Sequence, residues 1–282
     1  MKKLLLVFAF SFLLFSCSTD DLVLDNTTRT EHKSNARLKQ NENVRLYSTW
    51  GVTQGAYGYY TEIREFKVEV KNLAYHKEVD VLCELTDGTW KFFPLSFSNS
   101  TQEGTEIWSG TAKRSNIPYL VESGFKGKYA VRYKVNGQEY WDNNNGQNYE
   151  ITGVAGRYLS EGINVSVYNS NLYQYTGSQS ASLFIDVDVK NLNYKKDVEV
   201  VYTTDGWKTS NKAKLNFQSY FTVGPKQMLI SPNRFGVEKW SVSINLPTSV
   251  QIVDYAIVYR VNGQEYWDNN FGKNYRVTKV TY

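Results

Sequence analysis

The sequence predicts an all-β protein built from two tandem immunoglobulin-like β-sandwich domains. Aromatic residues make up 15% of its 282 residues, and tyrosine alone occurs 22 times; such residues favour half-buried strands. One decapeptide, VNGQEYWDNN, occurs at 135–144 and again at 261–270. Asn-Gly between apolar or aromatic runs is a strong signal for a two-residue hairpin turn. The repeat therefore predicts two copies of one β-rich domain, which we assign to 44–152 and 163–282.

Residues 1–16 have the order of a secretory signal. Lys2 and Lys3 precede an apolar run, which ends at Ser16-Cys17. The run is shorter than the roughly 20 apolar residues that span a membrane. The stretch resembles a bacterial lipoprotein signal, in which cleavage before Cys17 leaves a lipidated N-terminus. An ordinary signal with an incidental cysteine is the alternative. A lipid at Cys17 would hold the folded part at a membrane surface.

The residues after the signal predict where the protein is held. Asp20 and Asp21 follow the cysteine, and this acidic pair resembles the export signal of surface lipoproteins in the Bacteroidetes. We therefore expect a lipid anchor in the bacterial outer membrane and exposure at the cell surface. Residues 17–43 form the predicted flexible tether. Residues 26–43 contain no aromatic side chain and only two aliphatic ones, Ala36 and Leu38, which is too little apolar surface to order the segment.

Two shorter motifs also recur, in the same order as the decapeptide. The segment 70–75 (VKNLAY) matches 189–194 (VKNLNY), and 87–90 (DGTW) matches 205–207 (DGW). Alternating apolar and polar residues around these motifs indicate short strands, and turn signals separate them. This arrangement favours an immunoglobulin-like sandwich in each copy. The predicted boundary lies near 152–162, where three glycines loosen the chain.

Three residues are assigned mainly to the interior of the sandwiches. Cys83 stands in an alternating run, so we interpret it as a small buried hydrophobe rather than a redox group. Trp108 and Trp240 occupy alternating strands in the first and second copy. Trp50 lies before the first copied block and has no clear counterpart.

Most signatures of an enzyme are absent from the sequence. The two histidines are His32, in the tether, and His76, which Lys195 replaces in the second copy, so a His-dependent triad or metal site is not repeated. No cysteine pair has metal-ligand spacing, and no Gly-rich phosphate loop occurs. Glu139 and Asp142 lie on opposite faces of an extended strand, which disfavours a glycosidase. We expect no catalytic residue, no metal and no cofactor.

Four tryptophans are candidates for a binding site. Trp90 and Trp207 follow an Asp-Gly turn, whereas Trp141 and Trp267 stand beside a loop of Asp and Asn. A flat ring beside amides suits a sugar, because the ring covers the C–H face and the amides bind the hydroxyl groups. The alternative is that these rings form the cores of the two sandwiches.

Together these motifs resemble carbohydrate-binding module family 21. The resemblance rests on VKNLxY, on DG(T)W and on the long segment Y(K/R)VNGQEYWDNNxGxNY, and it covers both copies in full motif order. That family includes the starch-binding domain of fungal glucoamylases and the glycogen-targeting subunits of protein phosphatase 1. The resemblance implies an immunoglobulin-like sandwich that binds α-1,4-glucans such as starch and glycogen without cleaving them.

The resemblance also implies roles for individual residues. Trp90 and Trp207 resemble the family's stacking tryptophan, and Trp141 and Trp267 take the place of its second aromatic residue. Further sugar contacts are implied for the NLxYxK segments and the Asn-rich loops. These residues are Tyr75, Lys77, Tyr194, Lys196, Asn143, Asn148, Asn269 and Asn274.

Two departures from the family pattern affect the expected site. Thr89 lengthens the turn before Trp90, and Phe271 replaces the third Asn of the second loop. The phosphatase-docking role is not carried over, because the tether contains no convincing docking motif.

The expected partner is an α-1,4-glucan, bound without catalysis, together with a polysaccharide-degrading enzyme or an uptake complex. The net charge of +4 argues neither for nor against nucleic acid, and no nucleic-acid partner is expected. The rival hypothesis is a structural or adhesive surface lipoprotein that binds a protein partner.

Overall fold

The computed structural model describes residues 43–282 except 153–154 and 224–226. The predicted signal, Cys17 and the tether up to residue 42 lie outside the described residues. Every element in the described part of the chain is a β-strand, so the all-β prediction is confirmed. No helix among these residues is long and apolar enough to cross a membrane. The described residues all belong to one compact unit, 32–282.

The first module comprises eleven strands. They are β1 Val44–Ala56, β2 Tyr59–Lys71, β3 Lys77–Leu85, β4 Trp90–Pro94, β5 Ser96–Ser100, β6 Thr105–Ile117, β7 Leu120–Val121, β8 Phe125–Val135, β9 Gln138–Asp142, β10 Tyr149–Glu150 and β11 Gly156–Leu159.

The second module comprises the remaining strands. They are β12 Val165–Gln174, β13 Ala181–Lys190, β14 Lys196–Thr203, β15 Asn211–Lys214, β16 Asn216–Gln218, β17 Tyr220–Val223, β18 Gln227–Ile230, β19 Val237–Leu246, β20 Ile252–Val261, β21 Gln264–Asp268 and β22 Tyr275–Thr281.

Two sheets enclose the core of the first module. One sheet has the order β11-β1-β2-β6-β5, with β7 beside β6, and the other has the order β10-β8-β3-β4, with β9 beside β8. Their inward rows meet in one apolar cluster, to which Val68 of β2, Val81 of β3 and Val131 of β8 contribute. Alternation along each strand produces this arrangement, because successive side chains point to opposite faces.

The second module repeats this plan with one difference. Its last strand, β22, pairs antiparallel with β20 and parallel with β12, and so joins the two layers into one nine-stranded sheet. A separate apolar cluster, which includes Val187, Val200 and Tyr259, fills this module.

The core assignments made from alternation are confirmed. Cys83 is buried in the first core, and this burial raises the pKa of its thiol to about 12. Trp108 and Trp240 are partly buried and pack against the first and second core. Cys83 is thus a packing residue that stays protonated at neutral pH.

Part of the segment expected to be a loose boundary, residues 156–159, instead forms a strand against the first module. Its strand β11 pairs with β1, so that Ser48 faces Leu159 and Gly51 faces Gly156. Gly156 has φ +75°, and a Cβ there would lie 2.5 Å from Nδ2 of Asn233 in the second module. Glycine is needed here because both the backbone conformation and the close approach exclude a side chain. The domain limits themselves stay a prediction.

Side chains from both modules pack together at this junction. The Tyr47 ring lies 5.3 Å from the Phe271 ring, and the Trp50 ring lies 5.9 Å from the Tyr168 ring. Trp50, unassigned from sequence, belongs to a small apolar cluster that also includes Phe221 of β17. The two modules are therefore connected by packing as well as by the chain.

A buried carboxyl group on β2 predicts how stability changes with pH. Glu69 accepts a hydrogen bond from Thr105 Oγ1 at 2.7 Å and lies 3.3 Å from Arg45 Nε. Loss of water raises the pKa of Glu69 from 4.5 to about 7, although Thr105 and Arg45 oppose the shift. A raised folded-state pKa stabilises the protein while the group is protonated, and this stabilisation is lost as pH rises through 7.

We therefore expect Glu69→Gln to remove one source of pH dependence. Between pH 5 and pH 7.5 the free energy of unfolding of the wild-type chain should fall relative to that of Glu69→Gln by about 2 kcal/mol. Urea denaturation at the two pH values measures this difference. Parallel pH profiles for the two proteins would contradict the assignment.

Candidate carbohydrate-binding site

The candidate site of the first module lies on the outer face of the sheet formed by β3, β4, β8 and β9. Trp90 begins β4 opposite Glu84, and Trp141 lies on β9 opposite Arg132. Both tryptophan residues are 41% exposed. The two tryptophans thus stand on strands at either side of the central pair β3 and β8.

A concavity of about 350 Å³ lies between these two tryptophans. Leu82 and Ala130, which are paired across β3 and β8, contribute its apolar floor. Four of the predicted site residues line it: Trp90, Trp141, Asn143 and Asn148. The fold therefore brings together residues that are 58 positions apart in the sequence, from Trp90 to Asn148.

The Asn-rich loop between β9 and β10 is held by the carboxylate of Asp142. This group accepts hydrogen bonds from Leu46 N at 2.6 Å and from the Tyr149 hydroxyl at 2.9 Å. Asn143 Oδ1 accepts from Gly146 N at 2.9 Å, so the Asn143 side chain keeps its NH₂ group for other partners. Asp142 therefore serves the loop's structure, on the opposite face of the strand from Trp141.

The asparagines also allow the left-handed backbone conformation of this loop. Asn144, Asn145 and Asn148 have φ values of 52°, 55° and 60°, in the left-handed region that Asn tolerates better than most residues. Part of the Asn-rich signal is thus conformational. Among the described residues, no hydrogen bond to the Asn148 side-chain amide is found, and Asn148 lines the concavity.

The second module builds the same loop from its own copy of the sequence. Asp268 accepts from Val167 N at 2.7 Å and from the Tyr275 hydroxyl at 2.8 Å. Asn269 Oδ1 accepts from Gly272 N at 2.8 Å, and Asn274 N donates to Asn269 O at 2.7 Å. Burial raises the pKa of Asp268, as expected for a carboxylate enclosed by the loop it holds.

Comparison with known proteins places both modules in a family. The model of the carbohydrate/starch-binding module (family 21) matches residues 66–152 and again 162–278. The chain belongs to this family. Each match spans one Asp-anchored loop and most of one hydrophobic core.

The relatives of this family 21 chain include regulatory and starch-binding proteins. Protein phosphatase 1 regulatory subunit 3B of Rattus norvegicus is 36% identical over 99 residues, covering 33% of this chain and 31% of its own length. Subunit 3C of Bos taurus is 27% identical over 115 residues, covering 40% and 33%. The chain thus spans about a third of the length of these curated relatives.

A solved structure is also similar to part of the chain. It is the starch binding domain of Rhizopus oryzae glucoamylase in complex with β-cyclodextrin and maltoheptaose. It is 26% identical and covers 42% of this chain and 99% of its own, with a TM-score of 0.32.

The two family 21 modules differ at the tryptophan after the Asp-Gly turn. Trp90 lies in a strand, whereas Trp207 lies in a loop before β15 and has φ +69°. Trp207 N donates to Thr203 Oγ1 at 3.1 Å, and Asp205 accepts from Thr209 N at 3.0 Å. The extra residue Thr89 accounts for the difference, because it lets the first turn close before the tryptophan.

The tryptophans of the second module are also partly exposed. Trp207 is 39% exposed and Trp267 is half-buried. Trp267 lies opposite Val258, where Trp141 of the first module faces Arg132. The second module therefore repeats the two tryptophans and the loop of the first, but the residues beside its tryptophans are different.

The loop of the second module rests on the first module. Phe271, at φ 57°, packs on Tyr47, and Gln102 Nε2 donates to Gly272 O at 2.8 Å. The corresponding residue of the first loop, Asn145, is exposed. The departure at Phe271 is thus explained by packing at the junction, which offsets the left-handed backbone that a phenylalanine adopts unfavourably.

The tyrosines of the NLxYxK segments lie apart from the tryptophan sites. Tyr75 is 92% exposed and Tyr194 is almost fully exposed. Each follows the last strand residue of β2 or β13 and precedes β3 or β14, at the opposite end of β3 from the residue that faces Trp90. These two rings therefore form a separate exposed feature of each module.

The lysines of the same segments are corrected by the structure. Lys77 Nζ lies 2.9 Å from Glu106 Oε1 and donates to Asn72 Oδ1 at 2.6 Å, and its side chain is 3% exposed. Lys196 is equally buried, with Glu238 at 2.7 Å. We withdraw both from the sugar-contact set, because an ammonium group that is itself buried and paired with a buried carboxylate is not available to a ligand.

This correction predicts that Lys77 contributes to stability and not to glucan binding. Lys77→Gln should lower the free energy of unfolding by roughly 1–2 kcal/mol, because Glu106 loses its ionic partner in a buried position. Affinity for maltoheptaose should be unchanged. Denaturation and calorimetric titration test the two parts. Weaker binding at unchanged stability would restore Lys77 to the site.

Several exposed aromatic residues were missed from sequence. The ring centres of Phe92 and Trp141 are 6.3 Å apart. The guanidinium carbon of Arg132 lies 4.0 Å from the centre of the Phe92 ring. Phe97 packs on Trp108, and Phe217 packs in the same way on Trp240. A signal was present, because LSF at 95–97 and LNF at 215–217 keep the same place in both copies.

Proposed function

We propose that this chain captures α-glucans at a bacterial cell surface without catalysis, through two family 21 modules held by a lipid at Cys17. The observation that carries the proposal is the convergence of Trp90, Trp141, Asn143 and Asn148 on one exposed concavity. Two partly exposed indole rings provide faces for the C–H side of sugar rings, and amides provide partners for hydroxyl groups.

The shape of the site favours a polymer over a single small ligand. The concavity is open and its walls are two rings on separate strands, so it covers few sugar units and would bind them weakly. Two weak sites on one chain gain avidity when one polymer reaches both. Packing at the junction, through Tyr47 and Phe271, supports a fixed spacing between the two sites.

The exposed tyrosines extend this proposal. Tyr75 and Tyr194 present nearly bare rings at corresponding places in the two modules. We assign them to additional sugar contacts outside the tryptophan sites. A polysaccharide-degrading enzyme or an uptake complex would then receive the captured chain.

One observation favours the rival function, binding of a protein partner. The β1–β2 turn and the β6–β7 hairpin carry exposed apolar side chains, among them Tyr57, Tyr119 and Val121. Such a patch is typical of an interaction surface. It lies outside the tryptophan concavity, so the two functions predict different ligands.

A polysaccharide panel separates the two functions. The chain without its first 42 residues is mixed with insoluble starch, glycogen, cellulose or chitin, and the protein left in solution is measured. Starch and glycogen should remove it, and cellulose and chitin should not. Equal depletion by all four, or by none, would contradict α-glucan binding and leave the adhesive function as the better account.

A further inference from the structure

A groove of about 470 Å³ lies on the second module between β12 and β22. It is outside the tryptophan site. Side chains of Tyr173, Tyr175 and Tyr282 line it, with Asn171 and Thr278. None of these residues was assigned a role from sequence.

Three neighbouring tyrosine rings, inclined to one another, line this groove. The Tyr173 and Tyr175 ring centres are 5.6 Å apart, and those of Tyr175 and Tyr282 are 6.0 Å apart. Tyr175 is 62% exposed and Tyr282 is 68% exposed. These two rings are therefore not part of the core, and a ligand in the groove could reach them.

The course of the last strand creates the groove. In the second module β22 continues beside β12, with Tyr173 opposite Val280. Tyr282 is tied to β12 because its N–H donates to Gln174 O at 3.0 Å and its carbonyl accepts from Thr176 N at 2.8 Å. In the first module β10 ends at Glu150, and β11 occupies the edge of β1. The groove is therefore specific to the second module.

The lining of the groove identifies the chemistry of its ligand. All described side chains that line it are uncharged. The nearby Lys279 directs its ammonium group to Gln174 Oε1, at 3.1 Å, and to Thr248 O. No side chain of the lining would compensate the charge of an ionic ligand, whereas rings beside an amide and a hydroxyl suit a neutral sugar chain.

We propose that this tyrosine groove is a further carbohydrate-binding site for a neutral glucan chain. The ligand class rests on the proposed function of the chain, but the site is independent of the tryptophans. Tyr175 and Tyr282 stack on successive sugar rings, and Asn171 and Thr278 bind hydroxyl groups.

The test uses residues 43–282 labelled at valine methyl groups, because Val280 lines the groove and is exposed. Maltoheptaose is titrated into the wild-type protein and into a variant with Trp90→Ala, Trp141→Ala, Trp207→Ala and Trp267→Ala. The Val280 methyl signals should shift in a saturable way in both proteins. Adding Tyr175→Ala and Tyr282→Ala should weaken the binding that the Val280 shift reports about tenfold or more, independently of sugar bound at Tyr75 and Tyr194.

Two controls make the result interpretable. Tyr175→Phe keeps the ring and should keep the shift, and Tyr119→Ala removes an exposed tyrosine outside the groove and should change nothing. Unshifted Val280 in a wild-type protein that binds maltoheptaose would overturn the groove alone. A wild-type protein that binds no maltoheptaose would overturn both the groove and the proposed function. If the Ala variants do not unfold cooperatively, they are set aside, and the Val280 shift of the wild-type protein alone decides whether the groove binds maltoheptaose.

Discussion

The double replacement Trp90→Ala and Trp207→Ala is expected to reduce retention on insoluble starch about 100-fold or more, because both modules lose a stacking ring and avidity is lost with them. Each replacement alone should have a smaller effect. Both rings are partly exposed and lie outside the two cores, so thermal unfolding should stay cooperative. Starch depletion across a range of polysaccharide concentrations measures the change.

A matched pair of replacements separates stacking from general damage. Trp90→Phe and Trp207→Phe keep aromatic faces and should retain most of the binding. If the double alanine variant binds starch as the wild-type chain does, the stacking assignment is wrong. If the phenylalanine variant loses binding as fully as the alanine variant, the indole itself makes a contact beyond stacking.

The second large effect is expected at the junction of the modules. Tyr47→Ala should lower the free energy of unfolding by about 3 kcal/mol, in the range for removing a buried aromatic side chain. Tyr47 is buried among Leu159, Ile163 and Val237, and it supports Phe271 of the second loop. Loss of this support should also weaken glucan binding by the second module.

The measurement combines unfolding with a module-specific binding assay. Urea denaturation of Tyr47→Ala is compared with that of Tyr47→Phe, which keeps the ring and should stay near the wild-type value. Binding is measured in a background with Trp90→Ala and Trp141→Ala, so that the second module is observed. Unchanged stability would show that the junction is weaker than its packing suggests, and unchanged binding would show that the second loop is self-sufficient.

Much of the fold could be predicted because its signals are local. Alternation located the strands around Cys83 and Trp108, and Asn-Gly located the final hairpins. These patterns depend on the period of the strand and on backbone conformation, which a short sequence expresses directly. The repeated decapeptide also predicted the duplicated hairpin that precedes the two Asp-anchored loops.

The rest depended on distant contacts that no local pattern expresses. Lys77 looked like a sugar ligand, but Glu106, which is far from it in sequence, holds its ammonium group. The glycines near Gly156 looked like a loose link, but the free edge of β1 recruits this segment as a strand. The sequence shows Phe271 only as a departure from the family pattern of the loop, whereas in the structure its ring packs on Tyr47 of the first module.

Tryptophan fluorescence tests the central claim most directly, because three of the four tryptophans proposed to touch sugar are about 40% exposed, whereas Trp50 is buried and Trp108 and Trp240 pack against the two cores. Maltoheptaose or cellohexaose is titrated into residues 43–282 while the emission spectrum is recorded. The account predicts a saturable change with maltoheptaose, none with cellohexaose, and loss of the change when the four exposed or half-buried tryptophans are replaced. An emission spectrum that maltoheptaose leaves unaltered would contradict it.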